Sequence, residues 1–394
     1  MGTYNHMRFL RRDDYAKEQH GTRATNPLLP HPLTLTPSLV YAHGHHLTYI
    51  SFPPTLPLQL CSGSEVAALV YTSLCTVSFD IPFLITGVAG TSFSGVGLVI
   101  DAARGLVVCD RNTVPITLGD CELCFAGSVL VKAKIKFLHP IHNFAVVQYD
   151  PKTLGDTPVR SAVFSPIEIA PGDENLTYVG LSRRHTVLSQ SNVSCTRKEP
   201  FFVSCDMRPP RYAARNVELF HFDRVSAGLG GVFADEDGRV QAILASFSYA
   251  SGSKNKDVFR GLPVSLLEWT VDSLRADVAP VVYTLEVSLG LISLAKARAG
   301  MGLSDSWVDR LSRKNELVRQ VLKVTRVLTL SKSDGKLCVG DNLLAIDDSC
   351  LCTFRDVEKA VRGKETVTAT VLRDGKCVTV EDLSVTQLGS DNTC

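Results

Sequence analysis

The chain has 394 residues, of which 45% are hydrophobic and 21% charged, and its formal net charge is +1. That length can hold two or three domains with substantial cores. The balanced charge argues against a nucleic-acid partner, and the longest apolar run, at residues 66–79, is too short to cross a bilayer, so no membrane partner is expected either.

Residues 1–62 are rich in proline and histidine and are predicted to form a poorly ordered extension, because their prolines disfavour long helices and central strands. His43, His45 and His46 are grouped there, but no carboxylate or thiol stands at ligand spacing, so neither a metal site nor a cofactor is predicted. The twelve cysteines also lack zinc-ligand spacing. Without an apolar signal segment, we expect reduced thiols in an intracellular protein.

Residues 63–275 are predicted to form a double β-barrel. Short segments such as "GVGLVID", "VLVKAKIKFL" and "NFAVVQYD" follow one another with turn residues between them. No helical segments separate the strands, as they would in a parallel sheet. The run "EVAALVYTSLCTVSFD" is taken as the first strand. A terminal amphipathic helix is predicted within 261–274 from the spacing of Leu267, Thr270, Val271 and Leu274.

Residues 280–385 are predicted to form an α+β unit, followed by a tail at 386–394. Ser304 is a suitable N-cap for a helix over 304–323, and a second helix is predicted over 354–362. The sequence "RDGK" indicates an Asp-Gly hairpin between two closing strands.

Several of these segments resemble the HtrA-type branch of the trypsin-like proteases. "FSGVGLVID", "GLVVCDRNTV", "HNFAVVQYD" and "SAGLGGVFADEDGRVQAI" resemble its strands and nucleophile loop, and "VLTLSKSDGKLCVGDNLLAIDD" resembles an HtrA-type PDZ domain. The sequence of these segments is most similar to the second, degenerate protease half of the large double-protease HtrA-like family, which has fungal nuclear, pro-apoptotic members and plant relatives. Over about 64–385, the resemblance implies an all-β-dominated chain: a trypsin-like double β-barrel followed by an α+β PDZ-like domain.

Motif matching places the three catalytic positions of that family on residues without catalytic chemistry. The histidine position falls on Asn112, the aspartate position on Asn143 and the serine position on Leu229. Acyl transfer by this fold needs a hydroxyl nucleophile, an imidazole base and a carboxylate. An amide has no basic nitrogen near neutral pH and a leucine cannot attack a carbonyl, so the resemblance implies a pseudoprotease.

Neighbouring residues are not expected to replace the missing groups. His139 and His142 precede Asn143 and are interpreted as loop histidines. Cys109 lies in an apolar strand without an activating partner. An active serine protease using other residues, such as Ser226, remains the competing hypothesis.

Two binding elements are predicted by the resemblance. An oxyanion-type turn is placed at Ala227, Gly228, Leu229 and Gly230; either it holds a peptide carbonyl without cleaving it, or its glycines only satisfy turn geometry. A PDZ groove is placed between a carboxylate-binding turn at Gly290 and Leu291 and a helix carrying Val357 and Val361. Its alternative is a unit that packs on the barrel and binds nothing.

Two functions follow. The first is a non-catalytic regulatory scaffold whose PDZ-like unit binds protein or peptide segments, another copy of the chain or an intramolecular partner domain, in the nucleus or cytoplasm. The second is an active HtrA/Deg-type serine endopeptidase in protein quality control or apoptosis.

Overall fold

The computed structural model of the chain describes residues 65–84, 88, 90–181, 188–201, 215–225, 228–251 and 254–389. The Pro/His-rich extension, including the histidines at 43, 45 and 46, lies outside these residues, so the predictions made for it stay predictions. No helix within the described residues is long and apolar enough to cross a bilayer.

Six antiparallel strands form a closed barrel in the order β1-β2-β3-β6-β5-β4. Strand β2 is buried along most of its length because it serves two cores: Val96, Leu98 and Ile100 pack toward the second sheet, and Val99 packs inside the barrel. A strand that is buried on both faces is expected to have a continuous apolar run, as β2 does. The six strands are β1 Leu74–Asp80, β2 Ser92–Asp101, β3 Leu106–Cys109, β4 Asp120–Phe125, β5 Val129–Leu138 and β6 Ala145–Tyr149.

The start of the barrel region differs from the sequence prediction. Residues 65–71 are a helix, α1 Glu65–Tyr71, and only the second half of the predicted first strand is β1. Val66, Ala67 and Val70 are the buried residues of α1. Their spacing places them on one helical face, which packs into the core shared with the second sheet.

The second group of strands is a seven-stranded sheet in the order β8-β7-β11-β12-β13-β10-β9. A short 3-10 helix, Pro151–Leu154, and the segment that follows connect it to the barrel. The strands are β7 Leu176–Leu181, β8 Leu188–Val193, β9 Cys195–Phe201, β10 Val217–Phe222, β11 Gly230–Ala234, β12 Val240–Ser251 and β13 Lys254–Pro263.

The helix predicted at the end of this region is shorter than expected. Residues 261–263 close β13 and 264–266 form a 3-10 turn, so α2 spans only Glu268–Arg275. The predicted apolar face is nevertheless the buried one, since Val271 and Leu274 join the core between the sheets and Thr270 is also buried.

The C-terminal α+β unit contains two sheets and three helices. One sheet has the order β15-β16-β17-β19-β20, with β18 on β17, and the other pairs β14 with β21. The elements are β14 Val282–Thr284, β15 Val287–Ser293, α3 Leu294–Met301, α4 Asp305–Lys314, β16 Gln320–Val327, β17 Asn342–Ile346, β18 Ser349–Cys350, α5 Phe354–Val361, β19 Thr366–Arg373, β20 Lys376–Ser384 and β21 Thr386–Leu388.

Three details of this unit correct the sequence predictions. The helix predicted over 304–323 ends at Lys314, and Val321 is a buried residue of β16 instead. Helix α3 was not predicted. The predicted tail begins with a strand, β21, that pairs with β14. Helix α5 and the Asp374-Gly375 hairpin lie where the sequence placed them, with Arg373 opposite Lys376.

Candidate functional site

A tight turn after β3 presents Asn112. Asp110 holds this turn, because its carboxylate oxygen Oδ1 accepts hydrogen bonds from the backbone N–H of Thr113 at 2.8 Å and from its hydroxyl at 2.6 Å. The other oxygen of Asp110, Oδ2, accepts from the N–H of Ser246 at 2.8 Å and from its hydroxyl at 2.6 Å. The carboxylate therefore ties the barrel turn to strand β12.

Asn143 lies just before β6, in the turn that follows β5, and is 1% exposed. Its side-chain oxygen accepts from the N–H of Arg111 at 2.8 Å, and its Nδ2 donates to the carbonyl of Ser246 at 2.6 Å. Asn112 Nδ2 donates to the same carbonyl at 2.9 Å and lies 3.2 Å from the Ser246 hydroxyl. The structure thus brings Asn112 and Asn143 together on one acceptor.

The side chains of Asn112 and Asn143 form hydrogen bonds here but cannot transfer protons near neutral pH. Each amide NH₂ is a donor that stays protonated near neutral pH, and each amide oxygen is only an acceptor. The Ser246 hydroxyl donates to Asp110, which is acceptor-only when ionised. The side chains of Asn112, Asn143 and Ser246 therefore lack the basic nitrogen that general-base catalysis by this fold uses.

Leu229 precedes β11 and contributes apolar contact instead of a reactive group. It packs against the core that the barrel shares with the second sheet. Its backbone N–H donates to the carbonyl of Leu181 at 3.1 Å, and the hydroxyl of Tyr178 donates to the carbonyl of Gly230 at 3.1 Å.

These bonds bear on the two alternatives for the glycine-rich turn. In the alternative that holds a peptide carbonyl, the N–H of Leu229 would face that carbonyl, whereas here it donates to the carbonyl of Leu181. Gly230 has φ +147 and lies against Val96, where an added Cβ would come within 3.3 Å, so its role here is a close backbone approach. Ala227, the other amide of the predicted oxyanion-type turn, lies outside the described residues.

The two histidines before Asn143 are structural. His139 is buried, and burial, the neighbouring His142 and Arg111 hold its pKa well below the usual range. Its Nδ1 accepts from the backbone N–H of His142 at 2.8 Å. The ring of His142 stacks on it with 4.6 Å between centroids, while His142 Nε2 turns away to Glu358 of α5 at 2.5 Å.

Cys109 is no better placed as a nucleophile. It is 1% exposed in β3, and burial, the charge of Asp110 and two nearby cysteines raise its pKa well above the usual value. The thiolate, which is the reactive form, is therefore scarce. Within the described residues, no group of histidine, cysteine and acidic side chains could hold a metal ion.

A second concave feature, called here the edge groove, lies between the outer edge of β15 and helix α5. Among the described strands, β15 pairs only with β16, so one edge of β15 is left without a strand. The groove is lined mainly by apolar side chains of the C-terminal unit, including Val287, Leu289, Phe354, Val357 and Val361, together with Ile141 and Asn216 of the preceding sheets.

The carboxylate-binding turn predicted at Gly290 and Leu291 is not found at those residues. Gly290 and Leu291 do not form a turn; they lie inside β15, opposite Lys323 and Leu322. A turn precedes β15 at Glu286, whose φ is +57 and whose N–H donates to the hydroxyl of Thr284 at 3.0 Å. Val357 and Val361 do line the groove from α5.

Sequence reasoning missed the groups that organise both features. Ser246 gave no signal because it lies within an alternating strand, and its partner Asn112 is 134 residues away. Asn216 and Glu358 stood in no motif. The Asp-x-Asn-Thr spacing after β3 was the one local signal that could have identified Asp110 as a turn-holding carboxylate.

The fold is that of an HtrA-type serine protease. The solved structure of the HtrA-type protease AlgW with a tripeptide superposes with a TM-score of 0.55, covering 82% of this chain and 96% of that one at 15% identity. A second AlgW structure with a tripeptide, carrying an S227A change, gives 0.54 at 14% identity with coverage of 82% and 97%. No family model matches the chain.

The sequence also has curated relatives. Protease Do-like 7 of Arabidopsis thaliana is 32% identical over 326 residues, which are 74% of this chain and 29% of the relative. Pro-apoptotic serine protease NMA111 of Coccidioides immitis is 30% identical over 342 residues, 83% of this chain and 33% of the relative. The chain spans about a third of the length of these relatives, and over that part it is a homologue of HtrA-type serine proteases.

Proposed function

We propose that this chain is a non-hydrolytic homologue of HtrA-type serine proteases that acts as a peptide-binding or regulatory scaffold. One observation carries the proposal: Asn112 and Asn143 both donate to the carbonyl of Ser246, at the positions where the resemblance expects a histidine and an aspartate. Leu229 stands at the expected nucleophile position, with its N–H bonded to Leu181.

The chemical reason is the absence of a proton path among these groups. Without an imidazole, a serine hydroxyl is not deprotonated as it attacks, and without a carboxylate, an imidazole is not held in the reactive tautomer. The three histidines in the described residues support the proposal, since His139 and His142 are engaged as above and His221 Nδ1 lies 2.8 Å from the Thr196 hydroxyl.

The binding role is assigned to the C-terminal unit, residues 280–385, acting as a PDZ-like domain. An extended peptide adds to the free edge of a sheet through main-chain hydrogen bonds, while pockets select its side chains. Strand β15 supplies such an edge and α5 the apolar wall with Val357 and Val361. Partners of this class are peptide segments of other proteins, another copy of the chain or a neighbouring domain.

The activities of the longer relatives extend to this chain only as a proposal. They are named as proteases, and this chain matches about a third of each. We therefore propose that a catalytic half, where one accompanies this part, performs the proteolysis and that this part regulates it. A nuclear or cytoplasmic location remains an expectation from the sequence.

Covalent labelling tests the loss of hydrolysis directly. The purified chain is treated with a fluorophosphonate probe and assayed on labelled casein, beside a catalytically competent HtrA-type protease. We expect no labelled serine and no turnover, whereas the competent protease shows both. Labelling of any serine, or turnover abolished by Ser226→Ala or Ser246→Ala, would establish the competing endopeptidase function.

A further inference from the structure

Asn216 occupies the free edge of β15. This residue immediately precedes β10 and adopts a left-handed conformation, with φ +50. Its Nδ2 donates to the carbonyl of Val287 at 2.8 Å, and its Oδ1 accepts from the N–H of Leu289 at 2.8 Å. These two main-chain groups face away from β16 and are those through which an added strand would pair with this part of the edge.

The side-chain amide of asparagine is chemically a peptide group. It carries one carbonyl acceptor and an NH₂ donor, so it satisfies the same edge positions as the main chain of a ligand. A peptide added to β15 needs Val287 and Leu289 for its ladder. Asn216 and such a peptide therefore compete for the same two hydrogen-bonding groups.

Helix α5, the opposite wall of the groove, is also held by the preceding sheets. Glu358 of α5 meets the buried His142 at 2.5 Å. Burial acts to raise the pKa of Glu358, but the attraction and hydrogen bond of His142, together with the charges of Arg355 and Arg362, hold that pKa below the usual range. One turn earlier in the helix, Arg355 pairs with Glu268 of α2 at 3.3 Å.

The space that remains in the edge groove is small. The volume in it that a water-sized sphere can occupy is about 30 Å³, which is room for about two water molecules. Ile141, the residue before His142, lines it together with Asn216. A row of peptide side chains needs far more room, so both walls would have to release their contacts.

We infer that the chain closes its own edge groove: Asn216 occupies the strand-pairing groups of β15, the His142–Glu358 contact fixes α5, and an extended peptide enters only when these contacts open. The inference rests on the proposed peptide-binding function, since it assigns the regulation of that same groove. The C-terminal unit was interpreted either as a peptide-binding domain or as a unit that packs on the barrel and binds nothing. In this inference both apply, because packing against the preceding sheets is the closed state of the binding groove.

Amide hydrogen exchange tests the closure without any ligand. Asn216→Gly keeps the left-handed backbone and removes the amide, and Asn216→Asp keeps the size but sets a carboxylate against the Val287 carbonyl. We expect the Leu289 amide of the full chain to exchange about tenfold faster in Asn216→Gly. Asn216→Asp keeps an acceptor for that amide and loses only the donor to Val287, so its increase should be smaller. The Val371 amide in β19, which lies in the interior of the sheet, should keep its wild-type rate. An unchanged rate at Leu289 would overturn the closure.

Peptide binding tests the consequence of the closure. A displayed pool of random decapeptides with free C termini is selected against the full chain carrying Asn216→Gly and Glu358→Ala, and the enriched peptide is measured by fluorescence anisotropy. We expect the wild-type chain to bind it about tenfold or more weakly. Lys359→Ala, an exposed position on the same helix, should retain the wild-type affinity.

The outcomes separate the closure from the proposed function. Equal affinity for the wild-type chain and the opened variant would overturn the closure while supporting peptide binding. Faster exchange at Leu289 together with an empty selection would support the closure and count against peptide binding.

Discussion

Asn112 and Asn143 donate to one carbonyl oxygen, that of Ser246, at 2.9 and 2.6 Å. One asparagine comes from the turn after β3 and the other from the turn before β6, so two loops of the first barrel are joined to strand β12 of the second sheet. Both side chains of the pair are neutral amides that act as donors to this carbonyl. Its role in this chain is therefore to hold the two sheets together at the site.

Asn143→Asp is expected to destabilise the fold even though it places a carboxylate where the family resemblance expects one. The carboxylate keeps the hydrogen bond from the Arg111 N–H but loses the donor that serves the Ser246 carbonyl, and two acceptors then face each other. We expect a loss of about 1–3 kcal/mol in the free energy of unfolding at neutral pH, measured by urea denaturation.

Asn315→Asp is the matched control for this change. Asn315 accepts from the N–H groups of Leu317 and Val318 through its oxygen, and a carboxylate retains both bonds. We expect a change within about 0.5 kcal/mol. An Asn143→Asp protein as stable as the Asn315→Asp protein would contradict the assigned role of the Asn143 donor.

Gly231→Ala is expected to destabilise the sheet through a backbone clash. A Cβ at Gly231 would lie 2.4 Å from the carbonyl oxygen of Val179 and 2.6 Å from the Cα of Gly180, and neither atom can move without shifting β7. We expect a loss of about 1–3 kcal/mol by thermal or urea denaturation.

Gly300→Ala provides the opposite sign in the same assay. Gly300 lies in α3 with nothing within 4 Å of an added Cβ, so alanine should stabilise the helix by about 0.5–1 kcal/mol. If both alanine variants lost stability equally, the clash at Gly231 would not be the cause of its loss.

The strand framework could be predicted from the sequence because its signals are local. Apolar runs bounded by Gly and Asp indicated β2 and β6, and the Asp374-Gly375 pair indicated the last hairpin, where both residues have positive φ. The wrong helix boundaries at residues 65–71 and 314–323 have one cause. Val66 and Val321 are buried in either kind of element, so short apolar runs do not distinguish a helix from a strand.

The candidate site was only partly predictable because its contacts join distant parts of the chain. Motif matching singled out Asn112 and Asn143, but it did not predict that they share an acceptor on β12. Asn216 bonds to β15 residues 71 and 73 positions away, and no pattern in the sequence marks it. Such contacts depend on how separate sheets pack, which periodicity does not encode.

Thiol alkylation should follow burial. Cys338 and Cys377 are exposed, whereas Cys75 and Cys109 are each 1% exposed. Burial raises the pKa of Cys75 and Cys109 and raises that of Cys121 to about 12. Because a rise of one in the pKa lowers the thiolate fraction about tenfold, native protein at pH 8 should be alkylated by iodoacetamide at Cys338 and Cys377 and spared at Cys75, Cys109 and Cys121.

Peptide mass spectrometry reads this pattern residue by residue, and alkylation in denaturant is its control. All five cysteines should react once the chain is unfolded. Rapid native alkylation of Cys75 or Cys109 would mean that the barrel interior is accessible, contrary to the packing described.

Arg373 and Asp341 form the ion pair whose loss should cost the C-terminal unit most. Asp341 is 1% exposed and receives two hydrogen bonds from Arg373, both 2.7 Å long, in addition to one from the Cys338 N–H at 2.8 Å. Arg373→Ala leaves a buried carboxylate without its counter-charge, and we expect a loss of about 3–5 kcal/mol in the free energy of unfolding, measured by urea denaturation.

Arg298→Ala is the control for this prediction. It breaks an exposed pair with Asp305 and should lower the free energy of unfolding by at most about 1 kcal/mol. Equal losses in the two variants would show that burial adds nothing to the Arg373 pair.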